Sequence, residues 1–135
     1  MIATHRPAGV WLFAPPTETI HTELIPALHA TGQEWGLKVF VQVGSVEAAR
    51  QATKDGADVL VVQGVDAGGH QWAKGASLVT LLPEVVDMLA AEFKGNEVQV
   101  LAAGGVMDGR GVAAALVLGK VFLIQIVILT LTNSE

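Results

Sequence analysis

The chain contains no cysteine, which excludes a disulfide framework, a cysteine-built zinc site and thiol catalysis. Charge is scarce too: 16% of the residues are charged, against about 25% in soluble globular proteins. What charge there is leans acidic, eight Lys and Arg against thirteen Asp and Glu for a net charge of −5, which argues against a broad basic surface for nucleic acid or anionic lipid. The first residues carry His5, Arg6 and Pro7 but no apolar core of signal-peptide length, so the default expectation is a cytoplasmic protein. No His-x-x-His or paired-carboxylate spacing suggests a metal, and His5, His21 and His29 read as surface residues. Val112–Thr132 approaches the roughly 20 residues needed to cross a bilayer. Gly119-Lys120 divides that run into an Ala/Leu-rich half suited to a helix and a β-branched half suited to a strand, so no membrane span is expected.

What is abundant is apolar: 51% of the residues are hydrophobic and 15 are glycine, with a mean hydropathy of +0.49. That combination suggests strands covered on both faces, the habit of parallel α/β architecture. Strands are predicted at Val10–Ala14, Lys38–Val43, Asp58–Gln63, Val98–Ala103 and Val121–Leu131, each a β-branched or apolar run ended by glycine, proline or polar residues. Helical spacing predicts helices over Thr17–Thr31, Ser45–Asp55, Ser77–Phe93 and Asp108–Leu118, with Ser45 as an N-cap. Pro83 is expected to confine the third of these helices to its downstream part. The cadence is that of βα units. A complete (β/α)8 barrel needs about 250 residues, so by length alone an open doubly wound sheet competes with part of a barrel.

The glycine loops favour the barrel. Gln63-Gly64-Val65-Asp66-Ala67-Gly68-Gly69-His70 stands at the C-terminal end of a predicted strand, the edge where parallel α/β folds bind ligands. Glycines there let main-chain N–H groups approach a phosphate or a flat ring, and Gln63 adds an amide that can donate to and accept from a heterocycle. His70 follows, and an imidazole titrates near neutrality, so it is suited to take a proton from an acidic carbon. The next predicted strand ends in Gly104-Gly105, a second candidate for one shared phosphate cradle. Neither loop has the spacing of G-x-G-x-x-G after a first strand or of G-x-x-x-x-G-K-[ST]. Taken singly, each glycine pair also reads as a tight turn, and His70 as a solvated loop residue. Asp66 and Asp108 read as caps rather than as acids or bases. Trp11 and Phe13 read as core, whereas for Trp35 and Trp72 burial and ligand contact are both open.

These residues carry a resemblance. VFVQVGSVEAAR (Val39–Arg50), GADVLVVQGVDAGGH (Gly56–His70), SLVTLLPEV (Ser77–Val85) and LAAGGVMDGRGVAAALVLG (Leu101–Gly119), in that order, closely resemble nitronate monooxygenases, formerly called 2-nitropropane dioxygenases. The most specific part is Q-G-x-[DE]-A-G-G-H coupled to A-A-G-G-[IV]-x-D-G-R, and the likeness runs from about Ala8 to Gly119. It implies an FMN-dependent TIM barrel that oxidises alkyl nitronates, in some members nitroalkanes, with O2 to carbonyl compounds and nitrite. It further implies that His70 is the active-site base or nitronate-positioning group. Gln63, Gly68 and Gly69 would then lie near the flavin, and Gly104 with Gly105 would hold its phosphate. The expected architecture is a single partial barrel of about five βα units, followed by a divergent tail over residues 120–135.

The family begins with strands that this chain lacks and continues after Gly119 with a segment unlike Lys120–Leu129, so a truncated or aberrantly spliced gene product is expected. Open sheet edges would then favour self-association. An FMN-dependent enoyl reductase and a catalytically silent flavin-barrel fragment are the competing expectations.

Overall fold

A computed structural model describes residues 1–15, 20–119 and the backbone of 122–123. Its centre is a five-stranded, wholly parallel sheet, β1 (Gly9–Leu12), β2 (Lys38–Val43), β3 (Val59–Gln63), β4 (Gln99–Ala103) and β5 (Phe122–Leu123), with the strands side by side in chain order. Parallel neighbours need long crossovers, and these are helical: α2 (Ile20–Gly32), α3 (Val46–Lys54), α4 (Leu78–Glu92) and α5 (Gly109–Leu118). A four-residue turn of helix, α1 (Ile2–His5), precedes β1. Trp35 ties this N-terminal segment down, its indole N–H donating to the Pro7 carbonyl at 2.8 Å while the Arg6 guanidinium lies 5.6 Å from its ring centroid. Trp35 is therefore a structural residue.

Alternation along the strands decides where the helices go. Val39, Val41 and Val43 of β2, Leu60 and Val62 of β3, and Val100 and Ala102 of β4 point to one face, and all lie in a single core cluster. The same cluster holds Ile25 and Leu28 of α2, Ala49 and Ala52 of α3, Leu81, Leu82 and Val85 of α4, and Ala115 of α5. All four crossover helices thus cover one face. A doubly wound sheet reverses its strand order and divides its helices between two faces. An unreversed order with helices on one side is instead an arc of a (β/α)8 barrel, with the other face as barrel interior. The central strand β3 is covered on both faces, as expected, with Val61 fully buried on the interior side and Leu60 and Val62 on the helix side. Trp11, read from the sequence as core, lies on the interior face, where it stacks on Phe40 at 6.2 Å between ring centroids and stays 43% exposed.

The helix ends follow local chemistry. Ser45 Oγ accepts from Ala48 N at 3.2 Å and opens α3, and Asp108 accepts from Arg110 N at 2.9 Å to open α5. α4 departs from expectation: it starts at Leu78 and runs through Pro83. Proline removes one N–H, yet Leu78, Leu81 and Leu82 are buried in the core and the first turn closes through Leu81 N to Ser77 O at 2.9 Å. Packing outweighs the missing bond. Arg50 joins α3 to α4 by a bidentate pair with Glu92, at 2.7 and 2.9 Å. Among the described residues no helix is long and apolar enough to cross a membrane. Most of the strand predicted over Val121–Leu131 lies outside the described residues.

At the N-terminal rim, Asp58 holds the start of β2 beside β3. Its carboxylate accepts from Val39 N at 2.8 Å and Lys38 Nζ at 2.8 Å, with His29 Nε2 at 3.5 Å. The hydrogen bond to Asp58, reinforced by its charge, holds the Lys38 ammonium above its ordinary range. Asp58→Ala strands the Val39 amide in a partly buried position, and a loss of about 1–3 kcal/mol is expected in urea unfolding. An unchanged midpoint would show that the rim does not depend on this carboxylate.

Candidate functional site

The opposite rim, at the C-terminal ends of β3 and β4, is built from two loops that touch. Gly64 N donates to Ala103 O at 2.9 Å, and Ala67 N turns back onto Gly64 O at 3.1 Å. A Cβ on Gly104 would meet Ala67 Cβ and Gly64 O, both at 2.9 Å, and one on Gly105 would meet Asp66 Cβ at 2.8 Å. Both glycines also have positive φ, +89° and +72°. Glycine is required here by conformation and by space together. The two glycine loops are brought together, and Gly104 and Gly105 first serve that contact.

Asp66, read from the sequence as a cap of its own loop, instead closes the start of α4 from twelve residues away, its Oδ2 accepting from Leu78 N at 2.9 Å. Asp108 is likewise a cap, and its hydrogen bonds from Arg110 hold its carboxyl below the usual carboxylate range. Between the starts of α4 and α5 lies a cleft of about 450 Å3 lined by Ser77, Leu78, Gly104, Gly105, Val106 and Gly111. Among the described residues the amides of Gly105 and Val106 meet no acceptor.

On the other side of this rim, Gly68 and Gly69 face open space, Gly69 with φ +78°. His70 is exposed, and its carbonyl accepts from Gln63 Nε2 at 3.1 Å. Gln63 in turn accepts through Oε1 from Gln42 Nε2 at 2.8 Å, and Gln42 Oε1 accepts from Trp11 Nε1 at 3.0 Å. Gln42 escaped the sequence reading. Its one signal is a lone amide in the otherwise apolar and basic strand KVFVQV, which alternation puts on the interior face.

Trp72 folds over the end of β2. A Cβ on Gly44 would lie 2.4 Å from Trp72 Cδ1, and the indole meets Phe13 edge to face at 5.4 Å. Its N–H is buried without a partner among the described residues. It also lines a separate hollow of about 380 Å3 with His21, Ser45 and Gln51, where burial lowers the His21 imidazole below its ordinary range. Among the described residues no group of three or more His, Asp or Glu is arranged to hold a metal ion.

A family model for nitronate monooxygenase matches residues 4–122. The nitronate monooxygenase of Neurospora crassa is 52% identical over 129 residues, covering 88% of this chain and 33% of that protein. The chain belongs to the nitronate monooxygenase family. It spans about a third of the length of the curated relatives it matches. Among solved structures, FabK from Thermotoga maritima superposes with a TM-score of 0.71 at 30% identity, covering 90% of this chain and 34% of that one. A mandelate oxidase variant solved with a monooxide FMN adduct gives 0.60 at 29% identity, covering 84% and 32%. The barrel arc of the nitronate monooxygenase family thus accounts for the strand order, the one-sided helices and the paired glycine loops.

Gly104→Ala forces a side chain into a left-handed position against Ala67 and should cost about 1–3 kcal/mol. The amide resonances of Gly64–Ala67 are expected to move with it. A stable variant with unmoved resonances would mean that the loops do not pack as described.

Proposed function

We propose that this chain carries the flavin-facing and proton-accepting side of an FMN-dependent nitronate monooxygenase, oxidising alkyl nitronates with O2 to carbonyl compounds and nitrite. One observation carries the proposal: an exposed imidazole, His70, shares a strand-end rim with two abutting glycine loops, in which Gly68 and Gly69 face open space. Family membership supports it, as does the FMN adduct in the mandelate oxidase relative.

The residues present fit such a cofactor in two respects. The Gly105 and Val106 amides, beside the start of α5, lack acceptors among the described residues and suit a phosphate. Gly68 and Gly69 leave open space where a flat ring would approach main chain, and Gln63 adds a side-chain N–H. FMN, when bound, supplies the electron-transfer chemistry.

The protein's part is binding, orientation and one proton. Gly68, Gly69 and Gln63 would flank the ring, and Gly104 and Gly105 would hold the phosphate loop. The His70 imidazole would accept the proton from the carbon bearing the nitro group, or hydrogen-bond a nitronate already formed. Asp66 and Asp108 serve the helix starts, their carboxylates accepting from Leu78 N and Arg110 N.

A second reading is the competing expectation from the sequence, an FMN-dependent enoyl reductase. Nitrite release from propyl nitronate, set against NAD(P)H-dependent reduction of an enoyl thioester, separates the two.

Titration of the purified chain with FMN is expected to quench flavin fluorescence. An unchanged signal would overturn the flavin reading for this chain. With turnover in hand, His70→Ala should lower nitroalkane oxidation by about 10²–10⁴-fold, the usual contribution of a positioned base, and affect preformed nitronate less.

A further inference from the structure

Three hydrogen bonds cross the interior face of the sheet and end on the loop that carries His70. Trp11 Nε1 donates to Gln42 Oε1 at 3.0 Å, Gln42 Nε2 to Gln63 Oε1 at 2.8 Å, and Gln63 Nε2 to the His70 carbonyl at 3.1 Å. We propose that Trp11 and Gln42 are positioning residues that set the polarity of Gln63, so that Gln63 turns its N–H groups, and not its carbonyl, toward the His70 loop and the ligand it receives. The ligand half of this inference rests on the flavin and nitronate reading above.

A glutamine amide can face either way, and its neighbours decide which. Here the decision is made at the ends. An indole N–H only donates, so Gln42 must turn its oxygen to β1 and its NH2 to β3. Gln63 must then give its oxygen to Gln42. Its own NH2 is left for the far end, where a main-chain carbonyl only accepts. Reversing the amides would set N–H against N–H at Trp11 and oxygen against oxygen at His70. The chain therefore has one direction, fixed by a donor-only group two strands away at one end and an acceptor-only carbonyl at the other.

Burial makes the direction costly to lose. Gln42 is 8% exposed, one of two buried polar residues among those described, and an unpaired amide at such a depth is unfavourable. The Trp11 ring is itself held by stacking on Phe40. One N–H of Gln63 serves His70, and the other meets no acceptor among the described residues. The ligand atom received there must accept a hydrogen bond: a ring carbonyl, an unprotonated ring nitrogen or a nitro oxygen.

The test reads side-chain amide hydrogen exchange in the 15N-labelled chain, beside FMN titration. In the unaltered protein the Gln42 and Gln63 side-chain amides should exchange about tenfold or more slowly than free glutamine, the scale of one hydrogen bond. Trp11→Phe and Gln42→Leu should each abolish that protection at Gln63 and shift the Gly68, Gly69 and His70 main-chain resonances, while the β2 and β3 main-chain amides stay protected. Gln42→Glu supplies a test that folding cannot confound. At mildly alkaline pH its carboxylate only accepts, so Gln63 should turn its NH2 to position 42 and its oxygen to the His70 loop, and the Gly68, Gly69 and His70 main-chain resonances should shift. Protonation on acidification restores one acceptor and one donor, and those resonances should return. Unchanged Gln63 exchange in Trp11→Phe and Gln42→Leu, or no pH reversal in Gln42→Glu, would overturn the relay.

If the unaltered chain binds FMN, Trp11→Phe should weaken binding about tenfold although Trp11 touches no ligand. Equal affinity would overturn the ligand half alone. If the unaltered chain takes up no FMN, the cofactor reading fails, and the exchange data still decide the relay.

Discussion

Everything at the C-terminal rim depends on how closely the main chains after β3 and β4 approach one another. The Gly64 amide reaches the Ala103 carbonyl, and the positions of Gly104 and Gly105 leave no room for a Cβ against Ala67, Gly64 and Asp66. A steric limit of this kind is stricter than any single hydrogen bond, because a side chain in that gap must displace backbone. It joins two loops into one rim, which carries both the cleft beside the start of α5 and the exposed His70. The parallel pairing of β3 and β4 over five registered residue pairs supplies the rigid base for that contact.

The two faces of the sheet do different work. The face toward the helices is closed by valine, leucine and alanine, and its packing accounts for the strand order and for a helix that runs through Pro83. The interior face mixes Trp11, Phe40, Val61 and Leu101 with the two glutamines, and it is there that polar order reaches the His70 loop. A (β/α)8 barrel keeps its chemistry at the strand C-termini. In this arc, the amides inside the sheet serve as supports for those ends.

Much of this was legible residue by residue. Ser45 and Asp108 announced themselves as helix caps by residue type and by their place before helical spacing, and each caps a helix start, whereas Asp66, read as a loop cap, reaches the start of α4 from twelve residues away. The glycine pairs at strand ends marked the rim. Local patterns also misled: Pro83 overstated the cost of one missing N–H against three buried leucines, and the apolar alternation of Val10–Phe13 placed Trp11 in a core it does not enter. Family resemblance named the proposed chemistry, which no spacing in this chain could have done.

The order of βα units, the caps at Ser45 and Asp108 and the glycine pairs at two strand ends were legible in the chain alone, since each shows in residues within a few positions of one another. Which face the helices cover, which loops abut and which way the amides of Gln42 and Gln63 point were decided only by the tertiary structure. Those features join residues separated by 31 and 21 positions, whose contact exists only once the strands have paired. A glutamine in a strand is ambiguous until a neighbour that can only donate stands beside it, and folding is what brings Trp11 there.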